Sequence, residues 1–133
     1  MSKGRCKFFG AADGDHQDAR RRKARVDPAH YRIQPNSRGD GDGTLPAFTP
    51  GAHVTVETPS GAMRRYSLIN DGTAPDHYKI AVKREPASRG GSASMHDDAT
   101  EGSVLNVEAP ENDFPMSEAP RYLLIAGGIG ITP

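Results

Sequence analysis

Between Gly51 and Thr58 the chain alternates, with Val54 and Val56 on one face and Thr55 and Glu57 on the other. That period of two is the mark of a half-buried strand. Pro59–Ala62 reads as a turn, and Arg64–Ile69 as a second strand entering a core. After a polar loop, His77–Arg84 alternates again: Tyr78, Ile80 and Val82 share one face, Lys79, Ala81 and Lys83 the other. The stretch SASMHDDA predicts one short helix, and Ser103–Ala109 a fourth strand. A loop containing Pro110, Pro115 and Pro120 leads to Arg121–Ala126, a continuous apolar run. Such a run predicts a parallel strand buried on both faces, and the following GGIGITP is a turn of the kind that opens a βα unit. Short strands separated by polar turns predict an all-β fold, an antiparallel sandwich or barrel.

Residues 1–44 have a different texture. They show neither helical nor strand periodicity, and DHQDARRRKARVDP carries Val26 as its one sizeable aliphatic residue. Asn36–Thr44 has the composition of a linker. The expectation is a divergent head over residues 1–44, disordered or poorly packed. A barrel follows over 45–120, and the first strand and Gly-rich turn of a truncated domain over 121–133.

Net charge is zero, with 17 basic and 17 acidic residues. The balance hides ten basic and six acidic residues before position 45, and seven and eleven after it. The run Arg20–Lys23 lacks interleaved aromatics and gives little support to nucleic-acid binding. With Cys6 as the one cysteine, the chain has no intrachain disulfide. Nor can it build a zinc or iron–sulfur site from its own cysteines. No apolar run approaches the roughly 18 residues of a membrane span, and no signal-peptide core follows the N-terminus. A cytoplasmic protein without membrane contact is expected.

The loop Ala87–Asp98 is the richest in chemistry. Gly90 and Gly91 allow positive φ and close backbone approach to a ligand, while Ser92 is placed to cap the helix. Free N–H groups of a first turn favour an anion, and Arg89 adds a bidentate phosphate donor. The competing reading is an ordinary polar turn. Arg64 and Arg65 stand directly before a strand, with no carboxylate within four residues on either side. They can lie along the surface, stems over apolar atoms, or face a phosphate held against the glycine loop. Tyr66 would then lie against a flat ligand, with Ser67 as a donor. Ala81, Val82 and Lys83 could offer strand-edge N–H and C=O groups to a ring's polar edge, though on the sequence alone a plain strand is the better reading, and Thr132 could offer a hydroxyl to a ligand between two domains. The five histidines are scattered without metal-ligand spacing and are assigned to surface or loop. Asp97 and Asp98 are expected to be solvated, with no acid–base role.

Taken in order, RRYSLIND, YKIAVKREPASRGGSASMHDD, EGSVLNVEAPENDFP and LLIAGGIGITP resemble the flavin-dependent ferredoxin-reductase family. The match is nearest to its phthalate-dioxygenase-reductase and vanillate-demethylase-reductase type, over about residues 45–133. The resemblance implies a six-stranded antiparallel Greek-key flavin barrel, followed by an NAD(P)H-binding α/β domain and a plant-type [2Fe-2S] domain. It implies FMN, with FAD as the alternative. By position, Arg64, Arg65, Tyr66 and Ser67 match the flavin motif, and Ala81, Val82 and Lys83 the segment beside the isoalloxazine ring. Arg89, Gly90, Gly91 and Ser92 match the phosphate-binding loop. Thr132 matches the threonine that reaches the flavin from the nicotinamide domain. Relatives begin with two apolar-alternating strands, so a barrel without a proper first third is expected here.

The function so implied is the flavin module of an oxidoreductase. Electrons would pass from NAD(P)H through FMN to an iron–sulfur centre serving a Rieske-type aromatic oxygenase or demethylase. The partner is the oxygenase component, and the chain alone is expected to be inactive, its nicotinamide and iron–sulfur domains lying beyond Pro133. A non-catalytic flavin- or nucleotide-binding module is the competing reading, and an inactive truncated remnant a third.

Overall fold

The computed structural model describes residues 3–9, 29–35, 45–87 and 89–127. Its elements are β1 (Lys3–Phe9), β2 (Ala29–Pro35), β3 (His53–Glu57), β4 (Met63–Ser67), β5 (Tyr78–Val82), α1 (Gly91–Asp97) and β6 (Val104–Glu108). The strands form one six-stranded sheet in the order β4-β3-β6-β1-β2-β5, with every neighbouring pair antiparallel. The two end strands meet at a single bridge, Leu68–Ile80, beside which Ile69 N–H donates to Lys79 O at 2.9 Å. That bridge closes the sheet into the antiparallel barrel that the sequence implied.

The alternation read between residues 51 and 109 reproduces the burial. Val54 and Val56 are fully buried from β3, and Tyr78, Ile80 and Val82 from β5, while Leu105 and Val107 enter from β6. Met95 of α1 plugs the same core. The turn between β3 and β4 forms where Pro59–Ala62 predicted it, with Thr58 and Ala62 closing it by a 2.9 Å backbone bond.

The loop from β4 to β5 is organised by Asn70. Its Nδ2 donates to His77 O at 2.9 Å, and its Oδ1 accepts from Lys79 N–H at 2.8 Å. This end of the barrel is covered by Phe48, whose ring meets Tyr78 edge-on at 5.7 Å, and Tyr78 O–H donates to Pro46 O at 2.8 Å.

Two expectations are corrected. Residues 3–9 and 29–35, placed by the sequence reading in a head without strands, are β1 and β2, interior strands of the sheet between β6 and β5. In β2, Tyr31 and Ile33 point into the core, and Arg32 between them is exposed. Two apolar positions supply a whole strand's inner face, too few to stand out among the charges around them. The second correction concerns Arg121–Ala126. No strand forms there, and Leu123, Leu124 and Ile125 are 85%, 81% and 87% exposed. A strand apolar on both faces needs sheet neighbours on both sides, and among the described residues none pairs with it.

Core membership of β2 gives a direct test. Ile33→Ala is expected to lower unfolding free energy by about 2–5 kcal/mol, as for other buried large-to-small changes. Arg32→Ala is expected to change it by no more than about 0.5 kcal/mol. Urea unfolding measures both, and equal small effects would place residues 29–35 outside the core.

Candidate functional site

Just beyond β4, the single bridge Leu68–Ile80 is the pairing that joins the two end strands among the described residues. Continuing that antiparallel register would set Tyr66 opposite Val82 and Arg64 opposite Arg84, but no pairing occurs there. The sheet is therefore open at this level, between the free edges of β4 and β5. α1 sits across the opening and carries the glycine turn at its start.

Strand alternation divides the two arginines. In the β3–β4 ladder Arg64 pairs with Val56 and Tyr66 with Val54, both buried partners, so Arg64 and Tyr66 share the inner face. Arg65 pairs with Thr55 and Ser67 with His53 on the outer face. Arg64 is half-buried and reaches the glycine turn. A Cβ built on Gly91 would lie 2.9 Å from Arg64 Nε and 3.4 Å from its Cζ. Any side chain at position 91 would press on the guanidinium. Arg64 Nη1 donates to Met63 O at 2.8 Å, and among the described residues no carboxylate pairs with it. Arg65 answers a different need: its Nη1 meets Asp113 Oδ2 at 3.1 Å on the exposed surface.

The turn itself is built on Gly90, which adopts the left-handed conformation (φ 90°, ψ −15°) that favours glycine. Ser94 N–H makes the helix's first bond, to Gly90 O at 2.8 Å. Ser92, expected as the N-cap, does not cap the helix. Gly90 holds that position without a side-chain bond, and Ser92 Oγ instead accepts from Glu85 N–H at 3.1 Å. Arg89 is exposed beside the turn.

On the opposite side of the opening, Ala81 is half-buried and Val82 fully buried, while Lys83 is exposed, 3.9 Å from Glu85. Val82 O, expected to face a ligand's polar edge, already accepts from His96 Nε2 at 2.9 Å. Thr132 lies outside the described residues.

Burial raises the Tyr66 phenol above its ordinary range, and the nearby Arg64 guanidinium works against that. Tyr31 is pushed up to about 12, first by burial and then by the neighbouring Tyr66 and Asp97. Both phenols therefore stay neutral donors beside the opening. Tyr31 O–H donates to Met95 O at 3.0 Å, tying β2 to α1.

The sequence reading missed the histidines' positions. His96 and His53 are half-buried parts of α1 and β3, not loose surface groups. His53 lines a cavity of about 200 Å³ on the outer face, with Gly51, Arg65, Ser67, Asp113 and Phe114. Its Nε2 is buried without a hydrogen-bond partner and lies 3.9 Å from Glu111 Oε2. Spacing along the chain held no sign of this, because the covering loop comes from residues 111–114.

The site so assembled has a cation, a glycine turn and aromatic rings around an opening in a barrel. No family model matches the chain. The reductase subunit of phthalate 4,5-dioxygenase from Pseudomonas putida is 52% identical over 90 residues, covering 67% of this chain and 28% of that protein. Vanillate O-demethylase oxidoreductase, also from Pseudomonas putida, is 50% identical over 93 residues, 69% of this chain and 30% of the relative. The solved structure of phthalate dioxygenase reductase superposes with a TM-score of 0.79 at 37% identity, over 98% of this chain and 37% of that one. That protein is described as a modular structure for electron transfer from pyridine nucleotides to [2Fe-2S]. The present chain thus spans about 30% of the length of such curated relatives.

One charge pair flanking the opening titrates in a checkable way. Arg84 grips Asp97 with both terminal guanidinium nitrogens, Nη1 donating to Oδ1 and Nη2 to Oδ2 at 2.8 Å. Those hydrogen bonds, and then the guanidinium's charge, hold the Asp97 carboxyl below its usual range. The pair's contribution is present above the ordinary carboxylate range and is lost as pH falls through the lowered value. Arg84→Leu is expected to move the Asp97 midpoint upward toward the ordinary range. Carboxyl chemical shifts measured against pH report it, and an unmoved midpoint would contradict the assigned cause.

Proposed function

Over the stretch it shares with them, this chain belongs with the flavin-dependent ferredoxin reductases of oxygenase and demethylase systems, and from that premise we propose that it is the flavin-holding module of such a reductase. FMN is the proposed flavin. The observation that carries the reading is the contact of Arg64 with Gly91, at an opening between β4 and β5. A half-buried guanidinium without a carboxylate partner among the described residues calls for an anion. Glycine at 91 is what lets it stand against the turn. The residues present therefore fit a phosphate-bearing cofactor.

In this proposal Arg64 and the Gly90–Gly91 turn hold the phosphate, with Arg89 at the rim and Ser92 inside the turn. Tyr66 lies beside the flat ring. Arg64 to Ser67 covers about 10 Å of strand, and since the Ser67 side chain lies on the outer face with Arg65, Ser67 would meet the ring's far end through its backbone. Ala81, Val82 and Lys83 border the ring from β5, and Thr132 would approach from beyond residue 127. Arg65 is assigned to the flanking surface, where Asp113 already engages it.

The bound flavin would supply the chemistry that joins two-electron uptake from NAD(P)H to one-electron release toward an iron–sulfur centre. The chain's own residues bind and orient it, and the buried phenols keep their protons beside it. The module comprises the whole sheet, β1 and β2 included, and residues 121–133 are read as the start of a nicotinamide-binding domain. The proposed partner is the oxygenase component of an aromatic dioxygenase or demethylase system. Among the described residues no helix is long and apolar enough to cross a membrane.

Arg64→Ala is expected to weaken FMN binding about 10- to 150-fold, the equivalent of one charge-assisted hydrogen bond. The barrel's circular dichroism should persist, because Arg64 is not a core residue. Titration of FMN fluorescence against protein measures the affinity. A variant binding as tightly as its parent would remove Arg64 from the site.

A further inference from the structure

α1 spans two sheet edges that the barrel itself joins at one bridge, Leu68–Ile80. On the hairpin side, Ser60 N–H donates to Ser94 Oγ at 3.3 Å, and Ser94 Oγ donates to Gly91 O at 3.0 Å. On the β5 side, Ser92 Oγ accepts from Glu85 N–H at 3.1 Å in the exposed loop after the strand, and two further side-chain ties are seen among the described residues. Arg84–Asp97 is solvent-exposed at both ends, and exposed ion pairs contribute little. The other is partly buried: His96 Nε2 stands 2.9 Å from Val82 O, with its ring edge-on to Tyr31 at 6.1 Å. Since the glycine turn is the start of α1, whatever fixes α1 against β5 also fixes how far that turn stands from β5.

We propose that His96 is a positioning residue for the phosphate seat. Its Nε2–H, donated to the Val82 carbonyl, holds α1 on β5 and so sets the width of the opening between the Gly90–Gly91 turn and the β5 edge. The tautomer follows from the partner, since a carbonyl oxygen can only accept. His96 touches the sheet from behind the turn and acts through Gly90 and Gly91. The functional consequence rests on the flavin reading above, whereas the mechanical one does not.

Two variants separate the donor from the bulk. His96→Leu fills similar space without a donor, and His96→Gln restores an amide N–H of comparable reach. Affinity is read by FMN fluorescence titration. The set of α1 is read in the FMN-free chain by amide hydrogen exchange at Ser94 and Asp98, whose N–H groups donate to Gly90 O and Ser94 O.

The leucine variant is expected to raise the FMN dissociation constant about five- to tenfold, the scale of one lost hydrogen bond. It should also speed exchange at both amides while leaving the β3–β4 ladder unchanged. The glutamine variant should return both readouts to within about twofold of the parent, on the same scale. If leucine costs the fold, His96→Asn, too short to reach Val82 O, takes its place. Parental affinity in the leucine variant overturns the proposal, with or without faster exchange. So does a glutamine variant as weak as the leucine one. A parent chain that takes up no FMN would defeat the flavin reading instead, and exchange at Ser94 and Asp98 would then decide whether His96 holds the helix.

Discussion

Everything at the candidate site follows from how little of β4 and β5 is joined. A six-stranded antiparallel sheet has two edges, and here they meet at Leu68–Ile80 and separate. Open strand edges carry unpaired N–H and C=O groups and must be covered or used. Asn70 draws the strands together at one end by bonding both His77 O and Lys79 N–H. At the other end α1 is laid over the gap, with Met95 filling the core beneath it. A helix of two turns has little intrinsic stability, so its position depends on the ties made at Ser92, Ser94, Met95, His96 and Asp97. Closure at one end and a tethered cover at the other produce a slot in a barrel otherwise packed with apolar side chains.

The parts of the fold with full alternation were legible in the sequence. β3, β5 and β6 each show two or three apolar residues at period two, and their burial follows that pattern. β2 carries the same period in Tyr31 and Ile33, but its outward positions His30 and Arg32 blend into a charged neighbourhood. β1 alternates basic residues at 3, 5 and 7 with Gly4, Cys6 and Phe8, a pattern diluted by small residues. Both are interior strands paired on each side, where long-range partners supply what local composition does not. The run Leu123–Ile125 fails in the opposite sense: its local signal is strong, but among the described residues no strand pairs with it. The glycine turn was legible because positive φ at Gly90 and close approach at Gly91 are demands that few other residues meet. The cap assigned to Ser92 was not, since a left-handed glycine already ends the preceding loop there and the serine hydroxyl turns back to Glu85 N–H.

The adjacent arginines show how a strand converts sequence neighbours into different chemistry. Their identity and spacing give no ground for treating one as structural and the other as functional. A one-residue step on a strand, however, changes the face. Arg65 emerges toward solvent and finds Asp113, contributed by a loop 48 residues away. Such a pair is screened and contributes about 1 kcal/mol or less. Arg64 emerges beside Val56's face, half-buried against Gly91. There a guanidinium has lost part of its hydration, and its one hydrogen bond among those described is to the carbonyl of the preceding residue. Among the described residues that cation is under-compensated, and an anion seated on the turn would restore the balance. The arginine that looks less satisfied among the described residues is therefore the one on which the proposed anion site rests.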